Sequence, residues 1–127
     1  MAKNNRIFIA FAKEDATYRD FLVGQAKNNK SPFDFVDMSV KEPWDSEWKT
    51  KCRSKIKGCD GVIALLSTKT YSADGAKWEM NCANEEDIPM IGVHIDKNNK
   101  GAIPTELSGK KVIEWTWDGI ASFINGL

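Results

Sequence analysis

The sequence lacks an excess of charge of either sign, a paired cysteine motif and any long apolar run. Its 18 basic and 18 acidic residues cancel, so no basic field is available to attract nucleic acid or an anionic membrane. Its three cysteines form no CxxC pair, which argues against a disulfide framework or a zinc site and fits a reducing cytosol. The first apolar run is too short for a signal peptide, and no later one approaches a membrane span. We therefore expect a single cytoplasmic domain, residues 1–127, with no metal, membrane or nucleic-acid partner.

The sequence also lacks a glycine-rich turn after the first apolar segment. Nucleotide-binding folds use such a turn to hold phosphates. The sequence there is Ala12-Lys13-Glu14-Asp15, which excludes a dinucleotide-binding fingerprint and a P-loop. A flavin-binding loop is equally absent. A phospho-accepting receiver domain would need an aspartate at the end of the third strand, where this chain has Ser67. We therefore expect no bound cofactor.

Short apolar runs alternate with segments of helical spacing along the chain. They predict strands at residues 6–12, 33–36, 62–67, 88–95 and 112–114, and helices at 17–27, 45–57, 74–87 and 117–124. This alternation predicts an α/β, flavodoxin-like three-layer sandwich around a five-stranded parallel sheet of order 2-1-3-4-5. Ligands of such sheets bind at the carboxyl ends of the strands, at the switch point between the first and third. The segments that follow Phe11, Val36 and Leu66 should converge there.

Glu79 is the acidic residue of most interest near that point. Its predicted helix carries Ala76, Met80 and Ala83 on the core face, and Glu79 lies about 60° from the centre of that face. We therefore expect Glu79 at the border between core and solvent. Two interpretations stay open. Glu79 is either a salt-bridging border residue, whose loss would change stability by less than about 1 kcal/mol, or a carboxylate that faces the cleft and stabilises a developing cation.

The histidine and the three cysteines are interpreted as structural residues. The single histidine, His94, has no serine or cysteine partner signature near it, so we interpret it as a packed strand residue. Cys52, Cys59 and Cys82 are interpreted as small hydrophobic residues of the core or its boundary.

Six stretches carry a family resemblance when they are taken together. They are residues 6–11, 31–37, 41–45, 60–65, 78–83 and 88–93, with the sequences RIFIAF, SPFDFVD, KEPWD, DGVIAL, WEMNCA and IPMIGV. The combination resembles the TIR-like family of small single-domain proteins that includes the Thoeris antiphage proteins. The fold of that family is the flavodoxin-like sheet already predicted.

The resemblance implies an enzyme, of NAD glycohydrolase or ADP-ribosyl cyclase type. Catalytic TIR domains release nicotinamide from NAD and need a glutamate on the helix after the third strand. The family pattern Glu–aliphatic–x–x–Ala matches residues 79–83 and gives that role to Glu79. NAD would thus be a substrate and not a cofactor. Thoeris members make a signalling nucleotide that activates an effector protein, and TIR-like sites are often completed by a second protomer, so self-association and an effector are implied partners.

Under this hypothesis, further residues at the strand ends and in the following loops would bind the substrate. They are Ala10, Phe11, Asp37, Ser39, Lys41, Trp44, Ser67 and Trp78. The aromatic residues would stack on the nicotinamide or adenine ring, and the polar ones would orient the ribose and phosphates. The family usually has a serine at the position of Ala10. A non-catalytic interaction module remains the alternative, and nicotinamide release would distinguish the two.

Overall fold

The computed structural model describes residues 5–29, 33–38 and 41–127 of the chain. Within these ranges, nine main elements follow one another in the predicted alternation. They are β1 (Arg6–Ala10), α1 (Ala16–Asn28), β2 (Asp34–Val36), α2 (Ser46–Lys57), β3 (Gly61–Leu66), α3 (Asp74–Glu85), β4 (Met90–His94), β5 (Lys111–Glu114) and α4 (Trp117–Asn125).

The five strands form one sheet of order β2-β1-β3-β4-β5. Every neighbouring pair is parallel, with Ile7 opposite Gly61 and Ala10 opposite Ala64 in the central pair. The predicted fold class and strand order are therefore confirmed. Because all strands run the same way, their carboxyl ends meet at one edge of the sheet.

Strand β3 lies at the centre of the molecule, and all six of its residues are buried. Side chains alternate between the two faces of a strand. Val62, Ala64 and Leu66 pack in one core with α2 and α3, whereas Ile63 and Leu65 pack in the other with α1 and α4. A strand covered on both faces needs apolar residues at every position, which is why the continuous run 62–66 predicted it.

The predicted strands extend one or two residues beyond the observed ones at several ends. The first was predicted to reach residue 12 and ends at Ala10, and the fourth was predicted to begin at residue 88 and begins at Met90. The backbone at these ends still contributes to packing. The N–H of Val62, for example, donates to the carbonyl of Pro89 at 2.9 Å. At the end of β1 the apolar sequence marks burial that continues past the strand, since Phe11 and Ala12 are both buried.

Candidate functional site

A cleft opens where the carboxyl ends of β1 and β3 meet the segment that follows β2, which is the predicted switch point. Its volume is about 200 Å³. It is lined by three segments, namely residues 12–14 after β1, the loop residues Lys41, Pro43 and Trp44, and residues 72–76 at the start of α3. The segments that the sequence predicted to converge therefore do so.

Glu79 lies behind this cleft and does not line it. Its side chain is 0% exposed. The Nζ of Lys41 donates to both carboxylate oxygens at 2.9 Å, and the Sγ of Cys52 donates to Oε2 at 3.8 Å. The predicted border position is thus wrong. Helix α3 packs against the sheet on one side and against α2 on another, so its buried face is wider than the stripe that periodicity identified.

Burial and the charge of Lys41 have opposite effects on the pKa of Glu79. Burial is the largest influence and raises the pKa of the carboxyl from 4.5 to about 7, although the ion pair with Lys41 lowers it. The carboxylate of Asp37 adds a smaller upward influence. A carboxyl with a pKa near neutrality can exchange a proton near pH 7, a property that general acid–base catalysis uses and that structural ion-pair networks also produce.

Lys41 is held between Glu79 and two other groups. Its Nζ lies 4.0 Å from the centroid of the Phe11 ring, within the range of a cation–π contact. Its stem passes over Gly75 so closely that a Cβ atom at that glycine would lie 2.7 Å from the Cβ of Lys41. The lysine side chain is consequently 5% exposed.

Phe11 is fully buried in the core beside α1 and α4. Its ring contacts the ammonium of Lys41 and also the guanidinium of Arg19, whose central carbon lies 5.2 Å from the ring centroid. The Nη1 of Arg19 in turn donates to Oδ1 of Asp37 at 2.8 Å. Phe11 therefore acts as a support for cations in this structure, and its ring is not an open stacking surface.

A second polar cluster ties the ends of β1 and β3 together. The Oγ of Ser67 donates to Oδ2 of Asp15 at 2.6 Å and accepts from the N–H of Lys69 at 3.0 Å. Thr70 accepts from the N–H of Ser67 and donates to the carbonyl of Leu65. Burial raises the pKa of Asp15, while the hydrogen bond from Ser67 lowers it. These bonds hold the loops of the cleft in place.

Sequence reasoning did not assign a role to Asp15. The available signal was its position, because it follows β1 at the edge where Ser67 follows β3. Polar residues placed there on neighbouring strands are expected to meet.

The remaining predicted site residues lie in different surroundings. Ala10 is buried in the sheet opposite Ala64. Trp44 is 78% exposed at the wall of the cleft. Trp78 is half-buried away from the cleft, where its ring packs 5.2 Å from that of Trp48 and under Arg53. Ser39 lies outside the described residues.

The histidine and cysteines have the structural placements predicted for them. His94 is a buried residue of β4, and burial lowers its pKa. The three cysteines are free and buried. In the described ranges, no three histidine, cysteine or acidic side chains are grouped so as to hold a metal ion. None of the helices in these ranges combines the length and apolarity needed to cross a membrane.

Comparisons with known proteins agree with this architecture. The family model described as "Thoeris protein ThsB, TIR-like domain" matches residues 8–100. A prokaryotic SEFIR domain of known structure is 14% identical with a TM-score of 0.57, and the match covers 97% of this chain and 89% of that one. The SEFIR domain of IL-17 receptor B is 12% identical with a TM-score of 0.61, covering 98% and 96%. At these identities the two structures show a shared fold. Among curated proteins, no significant match is found.

Proposed function

The chain belongs to the family of the Thoeris protein ThsB TIR-like domain, and we propose that it is a cytoplasmic enzyme that cleaves the nicotinamide–ribose bond of NAD. In this proposal the cleavage yields an ADP-ribose-derived signalling nucleotide, which activates an effector protein in antiphage defence. The observation that carries the proposal is Glu79, a buried carboxyl behind the switch-point cleft whose pKa is raised to about 7.

The chemistry would proceed by loss of nicotinamide. The bond between the ribose C1′ and the ring nitrogen breaks, the bonding electron pair moves to that nitrogen, and positive charge develops on the ribose as in glycoside hydrolysis. A carboxylate beside the ribose stabilises this charge, and it does so more strongly in a site that excludes water. Glu79 would supply that carboxylate. Water or a hydroxyl of the same substrate would then capture the ribosyl cation.

Neighbouring side chains would bind the rest of the substrate. Trp44 offers an exposed ring at the cleft wall, suited to stacking on a base. Asp37 and Lys41 lie on the side of β2, where ribose or phosphate groups would be oriented. Ala10, Phe11 and Ser67 support the site from the core in this structure, and Trp78 packs on α2.

A non-catalytic interaction module is the second candidate. It is favoured by one observation, which is that the hydrogen bonds from Lys41 and Cys52 satisfy the carboxylate of Glu79 without any ligand. Near-zero net charge also lowers the barrier to self-association, which both candidates include.

Nicotinamide release from NAD by the purified protein tests the proposal. Glu79→Gln keeps the shape of the side chain and removes its charge, so we expect turnover to fall roughly 10²–10³-fold. Glu85→Gln makes the same chemical change on the same helix, in an exposed pair with Arg53, and should leave turnover unchanged. Full turnover in Glu79→Gln would refute the catalytic role. Absence of release by the wild type at every protein concentration would favour the interaction module.

A further inference from the structure

The ammonium of Lys41 occupies a place suited to any small cation. It lies 2.9 Å from each oxygen of Glu79 and 4.0 Å from the centroid of Phe11. A carboxylate and an aromatic face each attract a positive group, and both attractions grow when water is excluded. With the lysine side chain 5% exposed, this place is closed to solvent by the chain itself.

Lys41 also separates the cation position beside Glu79 from the cleft. The lysine lines the cleft and Glu79 does not. The cleft measures about 200 Å³, whereas ligand pockets typically measure about 300–1,000 Å³. A molecule that enters the cleft would therefore meet Lys41 before it could reach the carboxylate.

The lysine is positioned so that it can withdraw. Lys41 lies outside the helices and strands, just before the turn in which the N–H of Asp45 donates to the carbonyl of Glu42. Its displacement would therefore break no helix or ladder hydrogen bond. The stem packs closely on Gly75, and withdrawal of the ammonium would weaken this contact.

We propose that Lys41 is an intramolecular occupant of the Glu79 site, and that it must withdraw before the positively charged nicotinamide ring of NAD can enter. This proposal rests on the proposed function. The incoming ring would replace one positive charge by another, and on cleavage that charge would move to the ribose C1′, where Glu79 would stabilise it. When the bond to ribose breaks, the electron pair neutralises the ring, and the released nicotinamide loses its attraction to the site. Because the ligand binds only the fraction of molecules with Lys41 withdrawn, its apparent affinity is reduced by that fraction.

Binding of N-methylnicotinamide, a cation with the same ring, tests this occupancy without any need for turnover. Titrations followed by NMR at pH 9 compare the wild type with Lys41→Met, which removes the occupant and keeps most of its stem. The higher pH is needed because loss of the lysine raises the pKa of Glu79 above about 7. We expect the cation to bind this variant at least about tenfold more tightly than the wild type, and neutral nicotinamide to gain much less. Adding Glu79→Gln to Lys41→Met should abolish the gain. Lys27→Met, on exposed α1 surface, is the control and should bind as the wild type does.

A second variant, Gly75→Ala, should displace Lys41 from Glu79 while retaining the lysine and its charge. The added Cβ would lie 2.7 Å from the Cβ of Lys41, which is fixed to the backbone, so the loop at Lys41 must shift away from α3. Alanine itself suits a helix better than glycine does. We expect tighter binding of the cation here as well. This variant keeps the proposal testable even if Lys41→Met fails to fold.

The outcomes separate the two proposals. Equal binding of the cation by wild type, Lys41→Met and Gly75→Ala would overturn the occupancy, as would an equal gain for neutral nicotinamide. Tighter cation binding without nicotinamide release from NAD by any variant would support the occupancy and refute the proposed function. A fall in turnover in Lys41→Met that matches Glu79→Gln, with no gain in binding, would instead make Lys41 part of the catalytic machinery.

Discussion

Replacement of Glu79 by glutamine should stabilise the protein at neutral and alkaline pH. The folded protein raises the pKa of this carboxyl from 4.5 to about 7, so it binds the proton more tightly than the unfolded chain does. The stability contributed by that proton is fully present below pH 4.5 and is lost as the pH rises through about 7. At about 1.4 kcal/mol for each pKa unit, the loss amounts to about 3 kcal/mol.

Glutamine cannot ionise, so the free energy of unfolding of Glu79→Gln should not fall in this way as the pH rises. Near pH 4.5, where the carboxyl is neutral, we expect the two proteins to have similar free energies of unfolding. Above pH 7 the variant should be more stable by about 3 kcal/mol, or roughly 10 °C in melting temperature. Glu79→Gln leaves the ammonium of Lys41 with a neutral partner, and removing one charge of a buried pair is destabilising in itself. The wild type has the same neutral partner near pH 4.5, so the pH dependence of the difference reports the ionisation of Glu79.

Urea denaturation of both proteins from pH 4.5 to 8 measures the difference directly. Contributions from Asp15 and His94, whose pKa values are also shifted, are common to both proteins and cancel. Glu85→Gln, which removes an exposed partner of Arg53, should differ from the wild type by less than about 1 kcal/mol at every pH. A difference between Glu79→Gln and wild type that stays constant with pH would show that the pKa of Glu79 is not raised. Higher stability combined with lost turnover would mark a residue kept for function.

Three further outcomes are expected. Leu65→Ala should lower the free energy of unfolding by about 2–5 kcal/mol, because this side chain is fully buried in β3; a loss under 1 kcal/mol in urea denaturation would contradict its central position. Ser67→Ala should cost about 1–3 kcal/mol, since it leaves the buried carboxyl of Asp15 without its donor, whereas Thr68→Ala on the adjacent exposed residue should have little effect. If a second protomer completes the site, nicotinamide release per protomer should rise with protein concentration, and strictly constant specific activity over a wide range would count against shared sites.

The fold was predictable because the central strands are apolar at nearly every position. In a parallel sheet covered on both faces, such runs cannot be accommodated at the surface, so β1, β3 and β4 had few alternatives. The order of the strands followed from the alternation of strands with helices and from the handedness of their connections. These rules depend on the pattern of whole segments, and an error of one or two residues at an end does not change their result.

The position of Glu79 was not predictable in the same way. Periodicity along α3 identifies the face that meets the sheet, but the second buried side is created by α2. That helix contributes the stripe Trp48, Cys52 and Ile56, and its own sequence does not say which neighbour it meets. The partner of the carboxylate, Lys41, is 38 residues away in a loop, where no periodicity applies.

The same reasoning explains why the candidate site lies beneath the surface of the cleft. Residues such as Ala10 and Phe11 end an apolar strand and are held in the core, so the cleft wall on this side begins only at Ala12. The carboxylate is likewise buried, with a lysine between it and the open space. A ligand can therefore reach Glu79 only if a side chain moves, and the resting structure by itself is complementary to Lys41. Catalysis at Glu79 would require a change of state, and the free energy of displacing one lysine would set how readily that change occurs.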